Sequence, residues 1–345
     1  MTSFKLLNAW RQTLELSRLA PGQAVVILLS PSTDPANVAA AKLTTGQLGA
    51  RAVTIELAEA PTVRVAGEST AYIGPTALTG NRPAVDAMKS ADLVIDMMGI
   101  DRGSEQREIL EAGTRILLVK EPPEVLMRLV PTLEHKRRVT AAAARLGRAR
   151  TMTVRSSAGT NLTVTLGEYP CLIQYGLADE PGRWDHWPSA FVATWPNEGT
   201  SNGTVVLDRG DTILPFKEYV RTPIALTIRD GYIRAIEGDF DATYLRDYMA
   251  QFRDPEGYAV SHLGWGLETR AHWTTLGLYD KRQTNAMEAR SFAGNFMFST
   301  GPNAEAGGNR RTPCHLDIPM RGCSLELDGE PILKDGELLP GAGEA

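Results

Sequence analysis

Cysteine is scarce in this chain of 345 residues. There are three, Cys171, Cys314 and Cys323, an odd number with no CxxC spacing. That argues against a disulfide frame and for reduced thiols in a cytoplasmic protein. No run of about 18 apolar residues occurs, so no transmembrane helix is expected. Met1-Thr2-Ser3-Phe4-Lys5 leads straight into an amphipathic pattern, without the basic and apolar regions of a secretory signal. Positive charge is not in excess: 36 Lys and Arg stand against 41 Asp and Glu, a formal net charge of -5. A phosphate-binding face, and with it a nucleic-acid partner, is therefore not expected. The one basic run, Lys136, Arg137, Arg138, Arg145, Arg148 and Arg150, reads as a solvated helix face. No GxGxxG follows the first strand and no GxxxxGK[ST] occurs, which leaves a nucleotide site without motif support.

What is present is an ordinary globular composition, 43% hydrophobic and 22% charged, with length enough for two domains. Up to about residue 150, helical spacing (Leu6, Leu7, Trp10, Leu14, Leu19) alternates with short apolar runs. Val25–Leu29, Ala52–Leu57, Leu93–Met97 and Ile116–Val119 are the expected strands, and Asp34-Pro35 opens a helix between the first two. Such alternation predicts an open, mostly parallel α/β sheet over residues 1–150, acting as scaffold. Beyond it, Met152–Arg155 and Leu162–Leu166 flank a hairpin turn. Thr204–Leu207 and Ile224–Ile228 are further strands, and Ala242–Phe252 is a helix. Residues 151–345 are thus expected to form an α+β domain.

Only five histidines exist, so each can be weighed. His135 lies in the basic run and reads as a surface residue; His272 reads as structural. In Pro313-Cys314-His315-Leu316-Asp317-Ile318-Pro319 the i, i+2 spacing on a strand points His315 and Asp317 to one face, and Cys314 to the other. Alone, this pattern fits a core-edge histidine beside a solvated aspartate more readily than a metal pair. A second histidine in the glycine-rich, tightly turned Ser261-His262-Leu263-Gly264-Trp265-Gly266 strengthens the metal reading. Two histidines and a carboxylate form the facial triad of non-haem iron(II) oxygenases, which leaves three positions open.

Gly294–Gly301, Gly307-Gly308-Asn309 and His315-Leu316-Asp317 together resemble the C-terminal signature of the M29 aminopeptidase superfamily. That resemblance implies an α/β domain followed by a metal domain. It departs from the two-metal peptidases twice, with His262 where they carry a glutamate and Phe191 where they carry another carboxylate. Both departures fit a subgroup, the 2,5-dihydroxypyridine 5,6-dioxygenases of nicotinate and nicotine degradation. Ala178–Ser189, Tyr244–Tyr248, Ser261–Gly266, Phe298–Asn303 and Thr312–Pro319 are similar to that family, and the resemblance runs from Asp34 to about Asp328.

Carried over residue by residue, the resemblance implies Fe(II) held by His262, His315 and Asp317 in a mononuclear site, with His186 as an active-site histidine that handles a proton. It further implies O2 and a small aromatic N-heterocycle as substrates, ring cleavage between C5 and C6 to N-formylmaleamate, and a homo-oligomer. Trp184 would wall the flat ring, while Ser299, Thr300 and Asn303 offer hydrogen bonds. Arg102 and Gln174 stand where relatives carry a pocket histidine and glutamate, which bears on the substrate accepted. Two other classes compete. A single-metal hydrolase could use the same three ligands, but would consume no oxygen. A binding protein on a retired scaffold would predict a damaged ligand set.

Overall fold

The computed structural model describes residues 3–59, 76–100, 103–214 and 216–341. Its first part alternates as expected: α1 (Phe4–Leu16), β1 (Ala24–Leu29), α2 (Pro35–Gln47), β2 (Arg51–Glu56), α3 (Arg82–Lys89), β3 (Leu93–Asp96), α4 (Ser104–Glu111) and β4 (Arg115–Leu118). Two helices follow, α5 (Pro123–Arg128) and α6 (Leu133–Leu146). Asp34 caps α2, its carboxylate accepting from the Ala36 and Asn37 amides at 2.8 and 3.1 Å. The unbroken apolar run of β1 follows from burial on both faces. Val25, Ile27 and Leu29 share a cluster with Trp10 and Leu14 of α1, while Val26 and Leu28 join Met88 of α3 and Ile109 of α4. At the sheet edge, β2 is largely exposed.

The sequence partition at residue 150 is not respected by this sheet. After β5 (Thr151–Ser156), β6 (Asn161–Thr165) and β7 (Cys171–Gln174), the short β8 (Trp184–His186) joins it, giving the order β2-β1-β3-β4-β8. β8 runs parallel to β4, with Ile116 N donating to Arg183 O and Trp187 N to Leu118 O, both at 2.9 Å. The correction has a simple cause: without β8 the open edge of β4 would leave these backbone groups unpaired.

The rest of the chain supplies β9 (Phe191–Thr194), β10 (Asn202–Leu207), β11 (Thr212–Ile213), β12 (Glu218–Tyr219), β13 (Ile224–Arg229), β14 (Tyr232–Gly238), α7 (Phe240–Gln251) and β15 (Val260–Gly266). It ends with α8 (Met287–Ser291), β16 (Phe296–Thr300), β17 (Leu316–Met320), β18 (Cys323–Leu327), β19 (Glu330–Lys334) and β20 (Glu337–Leu338). These make an eight-stranded sheet, β14-β13-β10-β6-β5-β18-β19-β20, and a five-stranded sheet, β17-β16-β15-β9-β7. The two sheets share one core, in which Val154, Val205 and Leu325 meet Val192, Leu263 and Phe298. The expected hairpin is β5–β6, paired Thr151↔Thr165 through Arg155↔Asn161.

His135 is buried rather than superficial. It shares the inward face of α6 with Val139, Ala142 and Leu146, and its Nε2 lies 3.5 Å from Glu268 Oε2. Charged neighbours mask a helical stripe whose period places residue 135 inside. Burial lowers its pKa, although Glu268 pulls the other way.

The first sheet and the later half of the chain are clamped together by charged groups. Arg128 grips Glu288 through two bonds of 2.8 and 2.7 Å. Glu121, just after β4, accepts from Thr284 Oγ1 and, at 2.9 Å, from Met287 N. Burial pushes the Glu121 carboxyl up to about 7, against the opposing pull of these two bonds, Lys217 and Arg290. A folded-state pKa above the ordinary 4.5 means that the folded protein holds this proton where the unfolded chain has lost it. Stability from this group is therefore complete below about pH 4.5 and is lost as pH rises through 7. The slope within that window is about 1.4 kcal/mol per pH unit. Asp211, also pushed up to about 7 by burial, acts in the same window. The test is therefore a difference: urea midpoints at pH 5 and pH 8 should lie closer together in Glu121→Gln than in the wild type. An unchanged gap would mean that Glu121 does not hold the proton.

Candidate metal centre

Three neighbouring strands build the centre. His262 lies on β15, Asp317 on β17, and His315 immediately before β17, while β16 lies between. In β17, Leu316, Ile318 and Met320 fill the shared core, so Asp317 and His315 turn to the opposite face, as the i, i+2 spacing predicts.

His262 needs a different device. The expected turned setting is absent, because β15 is a fully buried strand between β9 and β16. Gly264 serves that close packing: a Cβ there would lie 1.9 Å from the Val192 carbonyl oxygen. The register slips by one residue between Val260↔Thr300 and Leu263↔Phe298, which puts a β-bulge at Ser261-His262. A bulge re-aims the side chains at the extra residue, and here it falls at the candidate ligand His262. Ser299 Oγ donates to the His262 carbonyl at 2.8 Å and holds the bulge.

Among the described residues, His262, His315 and Asp317 are the one group of three suitable side chains whose ligand atoms lie within 4.8 Å of one another. All three are buried, at 3%, 8% and 3% exposure. His262 Nε2 and His315 Nε2 stand 3.1 and 3.0 Å from the same oxygen, Asp317 Oδ1, which has no hydrogen-bond partner among the described residues. His315 Nδ1 lies 2.7 Å from the Thr300 carbonyl, which assigns the proton to Nδ1 and leaves the Nε2 lone pair facing the carboxylate. Two electron-rich atoms at that distance repel unless a cation lies between them. Ligand atoms about 2.1 Å from a common metal are about 3.0 Å apart at right angles and about 3.4 Å apart at a tetrahedral angle. The separations therefore fit two octahedral edges that share Asp317 Oδ1. Burial pushes the Asp317 carboxyl up, but the positive charge that His315 and His262 carry when protonated, together with Arg290, outweighs it and holds it well below the usual carboxylate range.

Phe191 faces the same side of this sheet, packed with Ala193 and Met287. Gln174 pairs across from Phe191 and is buried beside it. Ser299 pairs across from Asp317. Thr300 pairs across from the core residue Leu316 and so turns away from Asp317; its hydroxyl is buried without a hydrogen-bond partner among the described residues. Asn303 is already committed: its amide nitrogen donates to Tyr169 Oη and Glu198 at 3.2 and 2.7 Å, and its oxygen accepts from Arg310 N at 2.8 Å. It anchors the loop after β16 instead of presenting donors to a ring. Arg102 lies outside the described residues.

His186 and Trp184 occupy β8 on the other sheet, with their rings edge to face at 4.7 Å. Between them Asp185 does not orient the imidazole; its carboxylate accepts from Tyr175, Gly176 and His186 amides and from Arg183. Trp187 packs in the helix-covered core of the first sheet against Trp10. The residue that sequence reasoning missed is Arg290, whose Nε donates to Asp317 Oδ2 at 2.8 Å. No motif surrounds it, and only the packing of α8 on the metal-bearing face reveals it.

A family model described as NicX, 2,5-dihydroxypyridine 5,6-dioxygenase, matches residues 5–340. A 2,5-dihydroxypyridine 5,6-dioxygenase of Pseudomonas putida (strain KT2440) is 50% identical over 341 residues, spanning 98% of this chain and 97% of that protein. The solved structure of the 2,5-dihydroxypyridine dioxygenase from Pseudomonas putida KT2440 is similar with a TM-score of 0.94 at 50% identity, covering 98% of each chain. AmpT from Thermus thermophilus is similar with a TM-score of 0.61 at 13% identity, over 97% of this chain and 99% of that one, which is a likeness of fold alone.

Proposed function

Because the chain belongs to the 2,5-dihydroxypyridine 5,6-dioxygenase family, we propose that it opens the ring of 2,5-dihydroxypyridine, or a close hydroxypyridine, with Fe(II) held by His262, His315 and Asp317. The observation that carries the iron reading is the approach of two buried imidazole nitrogens to one Asp317 oxygen. Bound there, ferrous iron supplies the one-electron chemistry that lets triplet O2 react with an aromatic ring. The product, N-formylmaleamate, is the substrate plus both oxygen atoms, so the reaction needs no external reductant.

The chain's own residues bind, orient and move protons. The substrate hydroxyl must lose its proton, and His186 is the base we assign to it, since an imidazole titrates in the right range. Trp184, edge to face with that imidazole, restricts its orientation and gives the ring an apolar wall. Gln174, which pairs across from Phe191 on the same side of the sheet as Asp317, is the group we assign to the ring substituents. Ser299 acts through the bulge that carries His262.

The deciding experiment is an oxygen-electrode assay of protein loaded anaerobically with Fe(II), across hydroxypyridines and hydroxybenzoates. One O2 consumed per 2,5-dihydroxypyridine, with both atoms of labelled O2 in the product, is expected. Hydrolysis without oxygen uptake would favour a single-metal hydrolase. The same reading places the enzyme in the cytoplasm as a homo-oligomer, for which exposed Phe240, Tyr244 and Val53 offer apolar surface. Light scattering at micromolar concentration should give a multiple of the chain mass; a monomer would refute the assembly.

A further inference from the structure

Asp317 has two oxygens with different neighbours. Oδ1 faces His262 Nε2 and His315 Nε2 at 3.1 and 3.0 Å, while Oδ2 accepts from Arg290 Nε at 2.8 Å. The guanidinium is only 17% exposed and is fixed at its far end, where Nη1 donates to the Asn285 carbonyl. Asn285 is itself tied to the first sheet, its amide donating to Lys120 O at 3.0 Å. Arg290 is therefore held from both halves of the molecule and directed at one carboxylate oxygen.

We propose that Arg290 is a positioning residue that makes Asp317 a one-oxygen ligand. The proposal rests on the metal-centre reading above. A free carboxylate can offer a metal either one oxygen or two, and the second would occupy a position that substrate or O2 requires. A guanidinium bonded to Oδ2 removes that choice. Its charge also opposes the dication in a buried, weakly screened setting. Arg290 thus lowers metal affinity and keeps positions open, the reverse of what a merely structural arginine would do.

The test uses the full chain with cobalt(II), whose visible d–d bands report coordination number, and two variants. Arg290→Ala removes both donor and charge. Arg290→Gln removes the charge but keeps a donor, because the glutamine Nε2 stands at the same point along the side chain as the arginine Nε. The alanine variant should bind cobalt at least as tightly as wild type, with altered d–d bands. It should bind 2,5-dihydroxypyridine to the cobalt form about 10-fold more weakly, the scale of an outer partner's effect. The glutamine variant should recover the wild-type bands while keeping the tighter cobalt affinity. Weakened cobalt binding in both variants, in step with a lower melting temperature and with unchanged bands, would overturn the role of Arg290 and leave the metal centre standing. A wild-type chain that binds no cobalt would overturn the metal-centre reading itself.

Discussion

Asp317→Ala should yield a folded protein that holds no metal and consumes no oxygen. Wild-type protein should carry about one metal per chain, because the described residues contain a single three-ligand group and Phe191 brings no further carboxylate to that face. Asp317 is one of only three candidate ligands among the described residues and the one that faces both imidazoles, so its loss should remove most of the metal affinity. Removing the carboxylate also strands Arg290, a buried charge without its partner, at a cost of about 3–5 kcal/mol in stability. The melting temperature should therefore fall as well. Asp317→Asn separates the two effects, since its amide oxygen still accepts from Arg290 while a neutral ligand replaces the anion. It should melt near wild type and still lose most of its metal. Stoichiometric iron with normal turnover in Asp317→Ala would end the assignment, and two tightly held metals with leucine-amide hydrolysis would return the chain to peptidase chemistry.

His186→Ala should separate metal binding from turnover. The residue lies on the strand that completes the first sheet, outside the three-ligand group, so the variant should keep its full metal content. Turnover should fall by about 10²–10⁴-fold, the usual worth of a positioned acid–base group, with substrate affinity little changed. Residual activity should rise with pH as more substrate ionises unaided. Loss of metal would make His186 a ligand and displace one of the three named here. Unchanged turnover at every pH would move the proton elsewhere, with Arg102 the next residue to replace.

What could be read in the sequence was local and periodic. The apolar run Val25–Leu29 announced a strand covered on both faces, and Asp34 announced a helix start, because both signals are complete within a few residues. The His315–Asp317 spacing was legible for the same reason: strand alternation alone turns both side chains to one face. The bulge at His262 was not legible, since it is a mismatch in register with β16 and exists only once the two strands pair. His135 was misread because arginines and lysines surround it, and its place on the inward stripe of α6 was outweighed by their charge. Arg290 carried no signal, because its partner lies on another element and nothing in its neighbourhood repeats or caps. Arg183 pairs with Asp185 at 2.6 Å, and its guanidinium lies 3.7 Å from the Tyr175 ring centre, contacts that exist only once the loop before β8 folds.

The insertion of β8 beside β4 also limits how this protein can evolve. The first 150 residues look in sequence like a portable module, yet alone they would present β4 as a bare edge, open to pairing with another chain. A recombination event exchanging that segment for a relative's would have to match the incoming β4 to a resident strand that also bears His186. Variation in the scaffold and variation at the base are thereby linked through three residues of parallel pairing. Drift in the α/β half should be slowest along β4, where a poor match would displace His186 before it loosened the fold.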